Sequence, residues 1–274
     1  MLSPPPLSLG LIALEDDPDL AGVHVASNAR AAIEWAASLG YRAVQLDATR
    51  AGLRPRELDR SARRDLASLL RRRELTLSGL DLFIPPEHLT DPAQIDRAVA
   101  AISGAAALAV DLAALAPGSI ACVSLVFPAD LAADTHDELD VQAARVGALL
   151  ADFSVDDRNR PTPTDAPTTD LPDEPPALSS HAAGVGIDPA ALILRGHDPI
   201  EAVARAGDRL FAARLTDAAH STRIAPGSAG SQLDRTAYAA ALSVVGFRGP
   251  MVVDLRGVHQ PGVAARALAP GHAG

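Results

Sequence analysis

Three short apolar segments in the last third of the chain each end on an acidic residue, and this pattern constrains the fold most strongly. The segments are 185–187, 210–216 and 251–253, and they end on Asp188, Asp217 and Asp254. Amphipathic segments of helical period separate them, around 200–206 and 238–245. Strands that alternate with helices predict a parallel sheet. Polar residues at the carboxyl ends of such strands lie where barrels and open α/β sheets place their sites.

Four motifs in this region resemble, in the same order, those of one fold family. They read DPAALILRGHDP, ARLTDA, PGSAGSQLD and GFRGPMVVDLRG. They are similar to the D-P-x-H-L…G-x-D-P segment, the H-L-K-D-A strand end, the P-G-x-G-x-I-D turn and the G-Y-x-G-x-x-x-V-E strand of the xylose-isomerase-like TIM barrels. This is the sugar phosphate isomerase/epimerase superfamily, which also contains the type IV apurinic endonucleases. The resemblance implies a (β/α)8 TIM barrel.

The rest of the chain supplies the earlier βα units of such a barrel. We predict strands over 7–14, 40–48, 75–84 and 119–127, a first helix capped by Ser27, and a helix over 136–150. GYRAVQLDA (40–48) resembles the second strand of the family. The expected fold is α/β, a (β/α)8 TIM barrel in one domain over residues 1–274, with a degenerate fifth βα unit. Its fifth strand has no clear match, and only 152–155 remains for it. Residues 156–176 are rich in Pro, Thr and Asp, so we expect a flexible, exposed loop there.

Charge and composition exclude several classes of function. The 24 basic residues are all arginine, which removes Schiff-base chemistry on lysine. The net charge of −10 opposes binding to nucleic acid. No apolar run of membrane-spanning length stands out and no signal peptide is evident, so we expect a cytoplasmic protein without membrane contact. The single cysteine, Cys122, excludes a disulfide framework.

The resemblance also implies a divalent metal, Mn²⁺, Mg²⁺ or Zn²⁺, on the last four strands. Its ligands would be a Glu, an Asp, a His and a Glu, and carboxylates would move a proton between adjacent carbons of a sugar. The matched positions here supply no Glu on strand five, and then Asp188, Arg214 and Asp254. Arginine cannot bind a metal, and it would lower the pKa of acids beside it. We therefore expect no confident metal site, with Asp188 and Asp254 as the ligands if a metal binds.

The catalytic candidates are Asp188, Arg214 and Asp254, and each has a structural alternative. Asp188 either belongs to the site or starts a turn with Pro189. Arg214 points either into the barrel mouth or into a neighbouring salt bridge. Asp254 forms part of the site or a structural ion pair with Arg256, two residues further on.

Candidates for binding a substrate lie at other strand ends and in the loops that follow them. Gln45 and Asp47 share one side of the second strand. Asp217 either contacts the substrate or is a loop or helix-capping acid. His220 and Arg223 either contact an anion or are solvated loop residues. Arg256 completes the set.

Two hypotheses on function come from different classes. One is an isomerase or epimerase of sugars or related polyols, with an altered or absent metal. The other is a non-catalytic barrel that binds a small polar ligand or a protein partner. An endonuclease is a distant third, because its metal cluster needs several His and carboxylate ligands.

Overall fold

The computed structural model describes residues 4–12, 14, 20, 28–154 and 183–271, and its centre is a closed barrel of eight parallel strands. Around the barrel the strands follow the order β1-β10-β7-β6-β5-β4-β3-β2. They are β1 (Leu7–Gly10), β2 (Ala43–Asp47), β3 (Thr76–Asp81), β4 (Cys122–Leu125), β5 (Leu149–Asp152), β6 (Ala183–Ile187), β7 (Leu210–Leu215) and β10 (Met251–Val253). The (β/α)8 prediction is confirmed.

Helices surround this barrel, and several begin where the sequence places a capping side chain. They are α1 (Ala29–Ser38), α2 (Arg60–Arg72), α3 (Glu87–Thr90), α4 (Ile95–Leu115), α5 (Ala133–Val146), α6 (Pro189–Ile193), α7 (Pro199–Ala206), α8 (Arg235–Val244) and α9 (Pro261–Ala267). Asp59, Asp198 and Asp234 each accept a backbone N–H of the first turn that they cap. The first helix is capped by Asn28 and not by Ser27, because the Asn28 side chain accepts the N–H of Arg30.

The fifth strand lies earlier in the chain than the sequence indicated. The predicted helix over 136–150 ends at Val146, because Gly147 adopts the left-handed conformation that stops a helix. Leu149–Asp152 then pairs in parallel with both β4 and β6. The expectation of strand five at 152–155 was therefore wrong. The loop predicted over 156–176 lies outside the described residues.

Helix α4 is the one described helix that is long and apolar enough to cross a membrane by length and composition, with a mean hydropathy of 2.0. The sequence expectation of no such segment was wrong on this point. Here α4 packs against α2, α5, β3 and β4 as an outer helix of the barrel. Its buried residues are small or aliphatic, which suits a barrel filled by Ala, Leu and Val.

Hydrogen bonds that skip a strand show which side chains fill the barrel interior. Ser8 on β1 bonds to Ser78 on β3 at 2.7 Å, although β2 lies between those strands in the sheet. Gln45 on β2 donates to the Ser124 hydroxyl on β4 at 3.0 Å in the same way. Such contacts form only between inward-pointing side chains. The interior is therefore partly polar below the carboxyl ends of the strands.

A two-stranded antiparallel hairpin follows β7, which the sequence did not indicate. It consists of β8 (Asp217–Ala219) and β9 (Thr222–Ile224). His220 has φ of 53° at its tip, where the chain reverses. The hairpin starts at the carboxyl end of a barrel strand, so it places β9 residues beside the mouth.

Candidate functional site

Arg214 lies at the centre of the mouth and forms ion pairs with three carboxylates. Its Nη2 is 2.7 Å from Asp81 Oδ2, its Nη1 is 3.2 Å from Asp188 Oδ2, and its Nε is 3.1 Å from Asp254 Oδ2. Only 5% of the Arg214 residue surface is exposed. β3 and β7 have three strands between them in either direction around the barrel, so the Asp81–Arg214 pair spans its full diameter.

An aromatic ring covers the Arg214 guanidinium. The Cζ atom of Arg214 lies 3.8 Å from the ring centroid of Phe153, the residue that follows β5. This distance is typical of a cation–π contact. Gly186 on β6 makes room for the ring, because a Cβ atom at that position would lie 2.5 Å from it. The guanidinium is thus fixed by three acids and one ring.

Two further arginines join the same acids from the rim. Arg223, on β9, donates through Nη2 to Asp188 Oδ2 at 2.6 Å. Arg256 bonds to Asp254 through both Nε and Nη2, and it reaches Asp81 at 3.3 Å. We call these six side chains the mouth cluster: Asp81, Asp188, Asp254, Arg214, Arg223 and Arg256. Its three negative and three positive side chains balance in formal charge.

Asp188 fulfils both roles that the sequence left open. Its Oδ1 caps α6 by accepting the N–H of Ala191 at 3.2 Å, and it also accepts the Thr216 hydroxyl at 2.7 Å. Its Oδ2 belongs to the mouth cluster. Burial alone would raise the pKa of Asp188, but the guanidiniums of Arg214 and Arg223 outweigh it and lower the pKa below its usual value.

Asp254 is held by Arg256, as the alternative reading of the sequence had it, and also by Arg214. Burial opposes ionisation here too, yet the two guanidiniums and the backbone N–H of Arg256 lower the pKa of Asp254 strongly. The same contact with Asp254 raises the pKa of Arg256 against the effect of burial. Asp254 therefore stays ionised and is a weak base at neutral pH.

Asp81 at the end of β3 is a member of the cluster that sequence reasoning missed. The predicted third strand ran on to Ile84, which hid the acid inside the segment. The signal was present, because Leu80-Asp81 repeats the pattern of an apolar run that ends on an acid. Unlike the other two acids, Asp81 has a raised pKa: burial outweighs Arg214 and Arg256, and the charges of Asp254 and Asp47 add to the increase.

Asp152 is a second strand-end acid that the sequence analysis left without a role. It occupies the end of β5, the strand from which the family resemblance expects a Glu. Its Oδ1 accepts the backbone N–H groups of Phe127 and Ser154, and its Oδ2 accepts the Ser154 hydroxyl at 2.7 Å. The carboxylate thus holds two loops at the rim.

The remaining candidates fall into different environments. Gln45 lies inside the barrel, and its Oε1 accepts no hydrogen bond from the described residues. Asp47 accepts the N–H and the hydroxyl of Thr49, so it shapes a turn.

Asp217 is fully buried and accepts the N–H groups of Ala218, Gln232 and Leu233 and the Ser231 hydroxyl, so it anchors the PGSAGS turn. His220 is exposed at the hairpin tip.

The donor set at the mouth does not fit a divalent metal. Where the family resemblance places an imidazole ligand, this chain has a guanidinium that occupies the space between the three acids. In the part of the chain that the structure describes, no group of three or more His, Cys, Asp or Glu side chains could hold a metal ion. Hard cations need several free carboxylate oxygens, whereas these oxygens already accept N–H and O–H donors.

Known proteins resemble this chain in fold and not in sequence. No protein-family model matches the chain, and no curated protein sequence matches it. Among solved structures, it is similar to a xylose isomerase domain protein from Planctomyces limnophilus, with 17% identity, a TM-score of 0.64, and coverage of 98% of this chain and 94% of the other.

Two more solved structures resemble it over most of their length. A D-psicose 3-epimerase with D-tagatose from Clostridium cellulolyticum H10 has 13% identity and a TM-score of 0.62, with coverage of 90% of this chain and 84% of the other. A sugar phosphate isomerase/epimerase from Parabacteroides distasonis ATCC 8503 has 12% identity and a TM-score of 0.55, with coverage of 97% and 95%. The chain therefore has the TIM-barrel fold of these solved structures.

Proposed function

We propose that this chain is a single-domain, cytoplasmic sugar isomerase/epimerase-like barrel that binds a small polyol at its mouth without a divalent metal. The observation that carries the proposal is the Arg214 guanidinium, which is ion-paired to three carboxylates at the carboxyl ends of β3, β6 and β10. It puts a fixed positive charge where the resemblance implies a metal. Guanidinium N–H groups and carboxylate oxygens together suit the hydroxyl groups of a sugar.

The charge balance of the mouth cluster favours a neutral ligand. The three acids already neutralise the three arginines, so an anion would have to displace a carboxylate from its partners. A sugar hydroxyl both donates and accepts, so it can share these groups and leave every charged side chain with at least one ion-pair partner. Gln45, whose Oε1 accepts no hydrogen bond from the part of the chain that the structure describes, adds an acceptor inside the barrel.

The ligand proposal is tested by calorimetric titration with ketohexoses. D-Psicose, D-tagatose and D-fructose are the first probes, because proteins named for or crystallised with these sugars share the fold. We expect saturable binding of at least one ketohexose that is unchanged by a chelator and is weakened in Gln45→Ala. An exposed-site control, Gln232→Ala, should bind as the unaltered protein does. Absence of heat with every ketohexose would contradict the proposal.

We also predict weak or no stoichiometric binding of Mn²⁺, Mg²⁺ or Zn²⁺ at the mouth. Elemental analysis after dialysis against each ion should find well under one ion per chain. Arg214→His is the informative variant, because it removes the central cation and supplies an imidazole between the carboxylates. It should bind Zn²⁺ more tightly than the unaltered protein. One ion per chain that survives dialysis and is lost in Asp188→Asn would contradict the prediction.

A non-catalytic barrel is the second candidate function, and one observation favours it. Every oxygen of Asp188 and Asp254 accepts at least two donors from the chain, so neither acid is available as a general base. A barrel of this kind would bind a polar ligand or a protein partner and leave it unchanged. Ligand binding without any turnover of the ketohexoses would select this candidate.

A further inference from the structure

We propose that Asp81 is the proton-transferring residue of the mouth, and that it acts on the carbon next to the carbonyl group of a ketose. This inference rests on the proposed function, because it needs a sugar in the mouth. It assigns the chemistry to β3, and not to the acids on β6 and β10 that the family resemblance indicates.

The first support comes from how the three acids of the mouth cluster are held. Asp188 and Asp254 each accept backbone N–H groups as well as side-chain donors. Asp81 accepts no backbone N–H among the described contacts. Its Oδ2 accepts Arg214 Nη2 at 2.7 Å and Arg256 Nη2 at 3.3 Å, and among the described residues its Oδ1 accepts only Arg256 Nη1, at 3.3 Å. Among the carboxylate oxygens of the mouth cluster, Asp81 Oδ1 is therefore the one whose nearest contact with the described part of the protein is the longest and weakest.

The second support is that the Arg256 side chain, which covers Asp81, can move away from Asp81 and still keep its ion pair with Asp254. Arg256 is the most exposed member of the cluster, with 31% of its side-chain surface exposed. It keeps Asp254 through Nε at 3.0 Å when its two 3.3 Å contacts with Asp81 are broken. A sugar hydroxyl or a C–H group can therefore replace the Arg256 contact at Asp81 Oδ1. Neither Asp188 nor Asp254 offers such an exchange.

The charges that face Asp81 agree with a role in proton exchange. They are Asp47 from β2, Asp254 after β10, Arg214 from β7, and Arg256. Burial and the two acids raise the pKa of Asp81, whereas the pKa values of Asp188 and Asp254 are lowered. Neighbouring acids whose environments move their pKa values apart commonly divide acid and base roles between them.

The proposed step conserves atoms and electrons without any co-reactant. Asp81 Oδ1 takes the proton from the carbon next to the ketose carbonyl, so a C–H bond breaks and an O–H bond forms. The electron pair of the C–H bond moves to the carbonyl oxygen and gives an enediolate. The Arg214 guanidinium, held beside Asp81, supplies N–H donors for that negative charge. Asp81 gives the isomer when it returns its proton to the former carbonyl carbon and the adjacent hydroxyl passes its proton to the former carbonyl oxygen. The epimer forms when solvent water protonates the original carbon from the other face and Asp81 releases its proton to solvent.

The test is proton NMR of each ketohexose with the protein in D₂O, followed by chromatography of the sugars. We expect loss of one C–H signal next to the carbonyl, or formation of an epimer, with the unaltered protein. Asp81→Asn should slow this at least about 100-fold while calorimetry still shows sugar binding. Asp111→Asn, at an exposed position on α4, is the matched control and should react at the unaltered rate.

Two further measurements keep the inference open to refutation if Asp81→Asn is unstable. Asp81→Glu keeps the carboxylate and should retain part of the rate. In the unaltered protein the rate should rise with pH through the pKa of Asp81 and then level off. Unchanged exchange in Asp81→Asn would overturn the inference. Sugar binding with no exchange would overturn it and leave the proposed binding function standing, whereas absence of binding would overturn both.

Discussion

Arg214→Ala is expected to lower the free energy of unfolding by about 3–5 kcal/mol at neutral pH, which is the usual cost of removing one partner from a buried ion pair. Asp81, Asp188 and Asp254 would then face each other with only the two rim arginines as counter-charges. Chemical denaturation at pH 7 measures the loss. The Phe153 ring would also lose the cation against which it packs.

The stability of Arg214→Ala should depend on pH, and the pKa values of the three acids determine the direction of the change. Without Arg214 the pKa of Asp81, which is already raised, should rise further, and the pKa values of Asp188 and Asp254 should also rise because burial remains while one counter-charge is lost, so the folded protein binds protons more readily. The variant should therefore gain stability as the pH falls toward 5. In the unaltered protein, Asp188 and Asp254 have lowered pKa values, and their contribution to stability is lost only as the pH falls below about 4, the ordinary range of Asp.

An exposed arginine serves as the control for Arg214→Ala. Arg42 pairs with Glu74 at 2.9 Å on the surface, with most of both side chains in solvent. Such pairs contribute little to stability, so Arg42→Ala should unfold as the unaltered protein does at both pH values. If Arg214→Ala and Arg42→Ala had the same free energy of unfolding from pH 5 to pH 8, the ion pairs of Arg214 would not contribute to stability.

Gly184→Ala is expected to destabilise the barrel by about 1–3 kcal/mol or more, because the added methyl group has no space. A Cβ atom on Gly184 would lie 2.5 Å from the carbonyl oxygen of Arg209 and 2.5 Å from the Phe211 ring. The ring can rotate, but the carbonyl belongs to the turn that leads into β7. The clash should therefore force β6 and β7 apart, and the denaturation midpoint measures the effect.

A second glycine provides the matched control for Gly184→Ala. Gly104 lies within α4, and a Cβ atom there would meet the Pro55 side chain at 3.4 Å, an ordinary contact distance. Alanine favours a helix over glycine by up to about 1 kcal/mol, so Gly104→Ala should be neutral or slightly stabilising. Equal midpoints for the two variants would mean that β6 tolerates the added methyl group.

Much of the fold followed from apolar periodicity, and the misplaced elements have local physical reasons. β6, β7 and β10 were evident because each is a short apolar run bounded by turn residues. Strand five was missed because Leu149 and Leu150 continue the helical spacing of α5, and only the left-handed conformation of Gly147 separates the two elements. That conformation is a property of the folded backbone which composition does not reveal.

The site was partly evident for the same reason. Asp188, Arg214 and Asp254 meet because each lies at or just beyond the carboxyl end of a parallel strand. In a closed barrel these strand ends form one ring, so residues at strand ends in the sequence are expected to lie around the same mouth. Asp81 joins them from the opposite side of the barrel, which depends on barrel closure. Arg223 reaches Asp188 because a hairpin folds back over the mouth, and its sequence resembles an ordinary polar loop.

The ion pair across the barrel diameter links the two halves of the chain. Asp81 is the one member of the mouth cluster that belongs to the half from β1 to β4, and its contact with Arg214 joins residues 133 positions apart. The half from β5 to β10 contributes three arginines and two acids, so it carries one unmatched positive charge. The cluster becomes neutral only when the half-barrels dock. Contacts between residues so far apart in sequence carry a large loop-closure cost. Expressed as separate fragments, the two halves would both be net negative, so their reassembly into one barrel would depend on this local pairing at the mouth.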